Sequence, residues 1–309
     1  MKIVFFGSDD FAVVHLKKII SSSHSILAVV TQPDRAKGRG MKVGISPVKE
    51  LAGKKALPVL QPMDLADKNF IGQLKKYECD LFVVIAYGKF LPKDVLAIPR
   101  LGAINGHGSL LPQYRGAAPI NWAIINGEKQ TGVSIIQMNE KMDAGDIIAQ
   151  STIDIDQEDT SIALRAKMAE LGSQLLMETL KAIEENKCSL TPQKEAEVSF
   201  APKLRKEMGT IDWTKSAVEI HNLVRGLLPW PSATTYFNGK MLKVIETAVA
   251  ENSSGASQPG EICDISSKGI VVATGQGTLL IKKVHPESSK AMDAASFAAG
   301  HKIAAGYKF

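Results

Sequence analysis

One stretch of the sequence gathers residue types that could carry out acid–base and oxyanion chemistry. It reads Asn105-Gly106-His107-Gly108-Ser109-Leu110-Leu111-Pro112 and follows a short apolar run. Further along, Met142-Asp143-Ala144-Gly145-Asp146 places two carboxylates after another apolar run. An amide N–H group can bind an oxyanion, an imidazole can exchange a proton, and a carboxylate can orient that imidazole. The combination suits acyl transfer, whereas the alternative interpretation is an ordinary loop histidine with turn-forming asparagine and aspartate.

A second stretch, Thr31 to Gly40, could bind an anion. It contains Asp34-Arg35-Ala36-Lys37-Gly38-Arg39-Gly40, and between Thr31 and Lys55 the sequence has seven basic and two acidic residues. Positive charge concentrated in this way favours a polyanionic partner. A long loop inside a compact domain is usually functional or disordered. The stretch therefore predicts an extended anionic substrate, with an exposed, solvated loop as the alternative.

The spacing of glycines and cysteines argues against several other kinds of site. Gly7 follows the first apolar run but is a single glycine, where a dinucleotide fingerprint needs three. A phosphate-binding loop does not occur, since Gly239-Lys240-Met241 lacks both the first glycine and the hydroxyl. A serine-hydrolase elbow is also absent, because Gly106-His107-Gly108-Ser109-Leu110 ends in leucine. The three cysteines are far apart, which argues against a disulfide framework or a cysteine zinc site: Cys79, Cys188 and Cys263.

Alternating apolar strands and helices are predicted to position these residues. The predicted strands are Lys2–Phe6, Ile26–Thr31, Pro58–Leu60, Asp80–Ala86, Gly102–Asn105 and Val133–Met138. The predicted helices are Phe11–Ser21, Ser46–Lys55, Ile71–Tyr77, Pro92–Ala97 and a long one from Ser161 to about Asn186, with Asp159 or Thr160 as its N-cap. Strands of this kind predict an α/β fold with a mostly parallel, Rossmann-like sheet and helices on both faces. Ligands then bind beyond the carboxyl ends of the strands.

The second half of the chain has a different pattern. Residues 190–206 are polar and contain proline, which is typical of a linker. One helix follows (Ser216–Gly226), and then five short strands, Ala233–Phe237, Met241–Ala250, Gly260–Ile265, Ile270–Ala273 and Leu279–Val284. This spacing predicts a small β-barrel of the oligonucleotide-binding kind. The predicted division is 1–189 for the catalytic domain, 190–206 for the linker and 207–309 for the barrel.

Composition places the chain among ordinary globular proteins. It has 309 residues, 45% of them hydrophobic and 22% charged, and a formal net charge of +5. No apolar run reaches the roughly 18 residues of a membrane span, so no membrane partner is expected. The first residues run directly into an apolar strand without the anatomy of a signal peptide. The expected location is the cytoplasm.

The motifs resemble those of the folate-dependent formyltransferase family over nearly the whole chain. The central Asn-x-His-x-Ser-Leu-Leu-Pro run with its downstream aspartate is highly specific for that family. The other matching segments are Ile3–Gly7, Thr31–Arg35, Ser46–Lys49, Arg115–Ile120, Met142–Asp146 and Pro229–Trp230–Pro231. The resemblance implies that Asn105, His107 and Asp143 are the catalytic residues. It also implies that 10-formyltetrahydrofolate is the formyl donor, that Ser109, Leu110, Leu111 and Pro112 bind it, and that no metal takes part.

Within that family, the basic loop and the complete C-terminal domain indicate which molecule accepts the formyl group. They imply transfer to the α-amino group of methionine on initiator methionyl-tRNA, in the start of translation, by a monomeric enzyme. Arg39 matches the family's loop arginine, and tRNA binding is expected from Arg35, Lys37, Arg39 and Lys42. One departure is Ala36-Lys37, where an uncharged pair such as Pro-Ala is expected. The added charge is compatible with tRNA, and the missing proline leaves the loop less rigid.

Three alternative functions remain at this point. The first is a sibling formyltransferase whose acceptor is an amino sugar nucleotide, glycinamide ribonucleotide or another small amine, because the same three residues would serve any amine. The second is a non-catalytic RNA-binding protein, which would leave the Asn105, His107 and Asp143 cluster unexplained. The third is a folate hydrolase that passes the formyl group to water.

Overall fold

The computed structural model describes residues 1–37, 42–250 and 257–309 of the chain. The described chain divides into two compact units. Unit 1 comprises Met1–Pro119, Gln130–Asp154 and Arg165–Pro202, and unit 2 comprises Ile120–Lys129, Ile155–Leu164 and Lys203–Phe309. The domain boundaries predicted from the sequence, together with the function assigned to each part, stay a prediction.

Helices and strands alternate along the first half of the chain, and strands predominate in the second. In chain order they are β1 (Lys2–Gly7), α1 (Asp10–Ile20), β2 (Ser25–Val30), β3 (Arg35–Lys37), β4 (Lys42–Gly44), α2 (Pro47–Lys54), β5 (Val59–Leu60), α3 (Lys68–Lys75), β6 (Leu81–Ile85), α4 (Lys93–Leu96), β7 (Ala103–His107), β8 (Arg115–Gly116), α5 (Pro119–Ile125), β9 (Gln130–Gln137), β10 (Ile147–Asp154), α6 (Ser161–Glu184), β11 (Phe200–Ala201), α7 (Ala217–Gly226), β12 (Ala233–Phe237), β13 (Lys240–Ala250), β14 (Ile262–Ser266), β15 (Gly269–Ala273), β16 (Thr278–Pro286), β17 (Met292–Asp293) and α8 (Ala294–His301).

Unit 1 is built on a seven-stranded sheet in the order β10-β9-β7-β6-β1-β2-β5. The five strands from β7 to β5 are parallel, whereas β9 runs antiparallel to both β7 and β10. The central strand β6 is buried throughout, and β1 is buried except at Lys2. Strands that are apolar on both faces need cover on both faces. The predicted α/β fold with a mostly parallel sheet is confirmed.

Alternate residues of the central strands face two different layers of helices. Val4 and Phe6 of β1 belong to a core cluster that also contains Phe70 of α3 and Val95 of α4. Side chains alternate along a strand, so Ile3 and Phe5, which are also fully buried, face the other layer. The central strands are therefore buried on both faces of the sheet.

Side-chain caps begin several helices where the sequence predicts them. Ser46 precedes Pro47 at the start of α2, and its hydroxyl accepts a hydrogen bond from the Lys49 N–H group. At α6, the Thr160 hydroxyl accepts from the Ala163 N–H group at 3.2 Å, which confirms Thr160 as a cap. In unit 2, Ser216 and Glu219 form a reciprocal capping box at the start of α7.

Unit 2 contains a six-stranded antiparallel sheet in the order β12-β13-β16-β15-β14, with β17 paired to β16. Its core joins Ile220 and Val224 of α7 to Val244 of β13 and Ile281 of β16, with Phe297 of α8 packed against them. Antiparallel pairing along long, bulged strands is consistent with the small barrel that the spacing predicts.

Three parts of unit 1 differ from the elements predicted from the sequence. Strand β7 extends to His107 instead of ending at Asn105, because Gly106 and His107 pair with Ile135 and Ser134 of β9. Strand β10 is not among the predicted strands, since its half-exposed edge position leaves it less apolar than the central strands. The stretch predicted as a basic loop contains a strand, β3, which pairs antiparallel with β4 just after it. Among all helices of the described residues, none is long and apolar enough to cross a membrane.

Candidate active site

Strand β7 carries two of the predicted catalytic residues. Asn105 pairs with Val84 of β6 on one side and with Ile136 of β9 on the other, so its backbone is held inside the sheet. His107 lies two residues further along, and residues two apart on a strand share a face. His107 is buried and Asn105 is half-buried. The two side chains are thus presented side by side at the carboxyl end of a central strand.

The imidazole of His107 is oriented by a backbone carbonyl. Its Nε2 lies 2.9 Å from the carbonyl oxygen of Tyr114, and a carbonyl can only accept, so Nε2 carries a proton. Its Nδ1 lies 3.7 Å from Oδ1 of Asp143. That distance is longer than a hydrogen bond but short enough for the carboxylate to stabilise a charged imidazole. The nitrogen that remains for chemistry is therefore Nδ1, and it faces a carboxylate.

Asp143 lies in the loop between β9 and β10. Its backbone is left-handed, with φ of 49°, a conformation that residues other than glycine rarely adopt. The backbone N–H group of Gly116 donates to its Oδ2 at 2.9 Å, which leaves Oδ1 directed at His107. Two positions on, a Cβ atom on Gly145 would stand 1.7 Å from the carbonyl oxygen of Gln137. The loop approaches β9 more closely than any side chain permits.

A polar segment that sequence analysis assigned to the linker contacts this loop. Gln193 donates through its Nε2 to the carbonyl oxygens of Asp143 at 2.8 Å and Gly145 at 2.7 Å. Its Oε1 accepts from Nε of the buried Arg115 at 3.0 Å, and Arg115 also pairs with Glu195. Sequence reasoning missed Gln193, because nothing in the local pattern distinguishes it from the polar residues around it. Arg115 does lie in a motif that matches the family.

The predicted folate-binding segment, Ser109 to Pro112, is bonded within the chain. The buried Ser109 donates its hydroxyl to the carbonyl of Gln113 at 2.6 Å. The hydroxyl of Ser134 donates to the Ser109 carbonyl at 2.7 Å and accepts from the Leu111 N–H group at 3.0 Å. Gln150 donates to the Leu111 carbonyl at 2.9 Å. These polar groups therefore fix the shape of the segment.

A cavity of about 510 Å³ lies beside the Asp143 loop. Its apolar wall includes Leu96, Ala97 and Met138, and its polar wall includes Asn139 and Glu140. Ala144, the neighbour of Asp143, also lines it. Charged residues also line it, namely Lys93, Lys141 and Glu195. A volume in this range is typical of a small-molecule site.

Side-chain contacts fix the residues of the basic stretch that come just before β3. Asp34 forms an ion pair with Lys49 of α2, and Gln61 donates to Asp34 Oδ1 at 2.8 Å and to the Gln32 carbonyl at 2.9 Å. The hydrogen bonds from Lys49 and then Gln61 hold the pKa of Asp34 below its usual range. These contacts tie the residue before β3 to the carboxyl end of the sheet.

The four predicted tRNA-binding residues lie in this basic stretch or, in the case of Lys42, just after it. Arg35 and Lys37 lie in β3 and Lys42 lies in β4. Arg39 lies outside the described residues. Nothing in these positions tests their predicted role, which stays a prediction. In the parts of the chain that the structure covers, no group of three or more His, Cys, Asp or Glu residues could hold a metal ion.

Two protein families match the chain in sequence. Residues 1–180 match the family described as formyl transferase, and residues 203–302 match its C-terminal domain. Among curated proteins, methionyl-tRNA formyltransferase of Clostridioides difficile is 48% identical over 306 residues, covering 99% of each chain. The enzyme of the same name from Acetivibrio thermocellus is 45% identical and covers 99% of this chain and 98% of that one.

Solved structures share the fold at lower identity. WlaRD, a sugar 3N-formyl transferase, superposes with a TM-score of 0.69 at 18% identity, covering 94% of this chain and 98% of that chain. HypX from Aquifex aeolicus, in complex with tetrahydrofolic acid, gives 0.67 at 19% identity, covering 96% of this chain and 47% of that one. At such identities the likeness concerns the fold alone. The sequence similarity is far stronger, and by it the chain belongs to the methionyl-tRNA formyltransferase family of formyl transferases.

Proposed function

We propose that the chain transfers the formyl group of 10-formyltetrahydrofolate to the α-amino group of methionine on initiator methionyl-tRNA. The observation that carries the proposal is the similarity of 48% over 99% of both chains to a protein named for this reaction. That similarity takes in both the unit with His107 and Asp143 and the C-terminal unit.

The reaction forms one bond and breaks another at the formyl carbon. The methionine nitrogen bonds to that carbon, and the bond from the carbon to the folate nitrogen breaks. One proton leaves the amine and one proton is taken up by the folate nitrogen. In the transition state negative charge develops on the formyl oxygen and positive charge on the attacking nitrogen. Catalysis therefore requires donors for the oxygen and an acceptor for the amine proton.

Asn105 and His107 are the donors that we assign to the formyl oxygen. They share a face of β7, so both can reach one bound group. One well-placed donor of this kind typically contributes about 3–4 kcal/mol. Because Nε2 of His107 is bonded to the Tyr114 carbonyl, the imidazole would act through Nδ1.

Asp143 can serve the reaction in two ways. It can stabilise a cationic His107, since its Oδ1 is 3.7 Å from Nδ1. It can also accept the amine proton, directly or through a water molecule. Either role requires the carboxylate to stay where Gly116 holds it.

The cavity beside the Asp143 loop is the place that we assign to the folate. Its apolar wall suits a planar ring system, and its polar residues offer hydrogen-bonding groups at one side. The residues that line this cavity do not include Ser109, Leu110, Leu111 or Pro112, so the predicted contact of these four residues with the folate stays a prediction. For the tRNA, the basic residues Arg35, Lys37, Arg39 and Lys42 would contact phosphates.

The deciding experiment is formylation of aminoacylated tRNA by the purified protein. With labelled 10-formyltetrahydrofolate, methionyl initiator tRNA should be formylated and a methionyl elongator tRNA should be formylated far more slowly. An amino sugar nucleotide should remain unmodified, and reaction mixtures without any acceptor should release little formate. Efficient transfer to the sugar, or release of formate without an acceptor, would support a sibling transferase or a folate hydrolase instead. A protein that binds tRNA but transfers no formyl group would be a non-catalytic RNA-binding protein.

A further inference from the structure

Two parts of the chain hold the His107–Asp143 pair, the Asp143 loop and the segment from Tyr114 to Gly116. Both are hydrogen-bonded to one segment of unit 1, residues 191–201, which we call the strap. At one end, Thr191 exchanges backbone hydrogen bonds with Ile147 at 2.8 and 2.9 Å, just after the Asp143 loop. At the other end, Ser199 accepts from the N–H groups of Tyr114 and Arg115, both at 2.9 Å. The strap is thus bonded on both sides of the site.

The segment from Tyr114 to Gly116 touches both members of the pair. The carbonyl of Tyr114 accepts from His107, and the N–H group of Gly116 donates to Asp143. The same segment pairs in register with the end of the strap, Arg115 with Phe200 and Gly116 with Ala201. The strap therefore holds the backbone groups that orient the imidazole and the carboxylate.

Gln193, in the middle of the strap, holds the Asp143 loop directly. Both hydrogens of its amide are used, one for the carbonyl of Asp143 and one for that of Gly145. Its amide oxygen accepts from the guanidinium of Arg115, which is buried and can only donate. The opposite orientation of the amide would place its oxygen against two carbonyl oxygens. Arg115 and the two carbonyls together permit one orientation only.

We propose that Gln193 is a positioning residue for the transfer reaction, acting through Asp143 and oriented by Arg115. The inference rests on the proposed function. Asp143 has a left-handed backbone, a conformation that residues other than glycine rarely adopt. The two hydrogen bonds from Gln193 on either side of Ala144 keep the loop in that conformation. Without them the loop loses two contacts, and the hydrogen bond from Gly116 has to hold the carboxylate near Nδ1 of His107 without their support.

The test compares Gln193→Met, which keeps the size of the side chain but has no donor, with Gln193→Glu, whose oxygens would repel both carbonyls. The kcat for formyl transfer should fall by about 10- to 100-fold, as expected for a misplaced catalytic group. The KM values for tRNA and for folate should change by less than about threefold. The matched control is Gln130→Met, since Gln130 donates to Asp154 on the exposed part of β9 and should leave kcat unchanged.

A double-mutant cycle separates positioning from general damage to the fold. In an Asp143→Asn background, Gln193→Met should lower kcat by less than about twofold further, because the group that it positions is already inactive. Equal losses in both backgrounds would overturn the proposal, and so would a wild-type kcat in Gln193→Met. Should that variant fail to fold, Arg115→Lys, which retains the charge but lacks the Nε–H donor, should show the same split between kcat and KM and the same dependence on Asp143.

A spectroscopic measurement tests the positioning without any substrate. The ring ¹⁵N resonances of His107 should move in Gln193→Met in the direction that they move in Asp143→Asn. Unmoved resonances would overturn the positioning role even if the wild type is active. A wild type that transfers no formyl group would instead remove the proposed function, while the resonance comparison would still report on Gln193.

Discussion

The orientation of one imidazole decides which atoms of the candidate site can meet a substrate. Nε2 of His107 is committed to the carbonyl of Tyr114, so Nδ1 is the reactive nitrogen. The same nitrogen lies 3.7 Å from Oδ1 of Asp143, too far for a hydrogen bond, so it remains available to a substrate. At the scale of residues, the site is therefore a carboxylate and an imidazole held by backbone groups.

Replacing the carboxylate of Asp143 by an amide should remove its chemistry and keep its place. In Asp143→Asn, the remaining side-chain oxygen can still accept from the Gly116 N–H group, so the loop should be retained. An amide can neither take up the amine proton nor balance a cationic His107. The expected loss in kcat is about 100-fold or more, with little change in tRNA affinity. Single-turnover formylation and filter binding measure the two quantities.

Asp146 provides the matched control for that substitution. It lies three residues away in the same motif, and its carbonyl oxygen accepts from the Gln137 N–H group. Asp146→Asn keeps that backbone bond, so kcat should stay close to the wild-type value. A large loss in Asp146→Asn together with a small one in Asp143→Asn would reverse the assignment.

At the scale of elements, the turn between β9 and β10 sets how closely the Asp143 loop approaches the sheet. Gly145→Ala places a Cβ atom 1.7 Å from the Gln137 carbonyl, so the backbone must shift. The expected result is a loss of about 1–3 kcal/mol in the free energy of unfolding, as for other overpacked sites, together with reduced kcat. Gly72→Ala is the control, because its Cβ meets nothing within 4 Å and alanine favours the helix α3 by about 0.5–1 kcal/mol. Urea denaturation distinguishes the two directions.

The helix α1 makes unit 1 sensitive to acid through His15. The side chain is fully buried, its Nδ1 contacts the Phe11 carbonyl at 2.8 Å, and burial lowers its pKa from 6.5 to about 4. The unfolded chain therefore binds a proton at a higher pH than the folded chain does. The stability due to neutral His15 is fully present above pH 6.5 and is lost as the pH falls towards 4, by about 3 kcal/mol in all.

A comparison of two denaturation series checks this pH dependence. The urea concentration at the unfolding midpoint should decrease as the pH is lowered from 7 to 4.5. It should decrease in both the wild type and His15→Leu, because other groups also titrate. The fall should be clearly smaller in His15→Leu, which cannot bind the proton. Parallel curves would show that His15 does not contribute.

At the scale of the whole molecule, charge is unevenly distributed along the chain. The stretch from Thr31 to Lys55 has seven basic and two acidic residues, and the stretch from Lys203 to the end has 13 basic and 9 acidic residues. The base of the first stretch is tied down by Asp34, Lys49 and Gln61. Such a distribution favours phosphate contacts at a defined place over general attraction.

Binding of initiator tRNA should accordingly weaken steeply with salt. The logarithm of the association constant should fall linearly with the logarithm of salt concentration, since each phosphate contact releases counterions. Arg39→Ala should lower formylation of tRNA and reduce the slope by about 1, while folate affinity stays unchanged. Lys75→Ala, an exposed lysine of α3 outside both basic stretches, should change neither quantity. A loss of folate binding in Arg39→Ala would contradict the assignment.

Strand β6, the capped start of α6 and the antiparallel strands of unit 2 were predictable because each depends on local pattern. An unbroken apolar run, a threonine before a helix and turns at short spacing have the same meaning wherever they occur. Strand β10 and the antiparallel direction of β9 were not predictable, since edge position and strand order depend on pairing between distant segments.

The same distinction holds within the candidate site. Asn105 and His107 are two residues apart in one motif, but the predicted strand ended at Asn105. The pairing of His107 with Ser134 of β9 extends β7, and this extension places the two side chains on one face. The hydrogen bond from Gly116 to Asp143, the contact of Gln193 with the Asp143 loop and the contact of Arg115 with Gln193 join residues 27 to 78 positions apart. Contacts of this range arise only when the sheet, the turn after β9 and the strap pack together. Residue types and local spacing thus indicate the kind of chemistry. Long-range packing determines which carboxylate, which imidazole nitrogen and which glutamine take part.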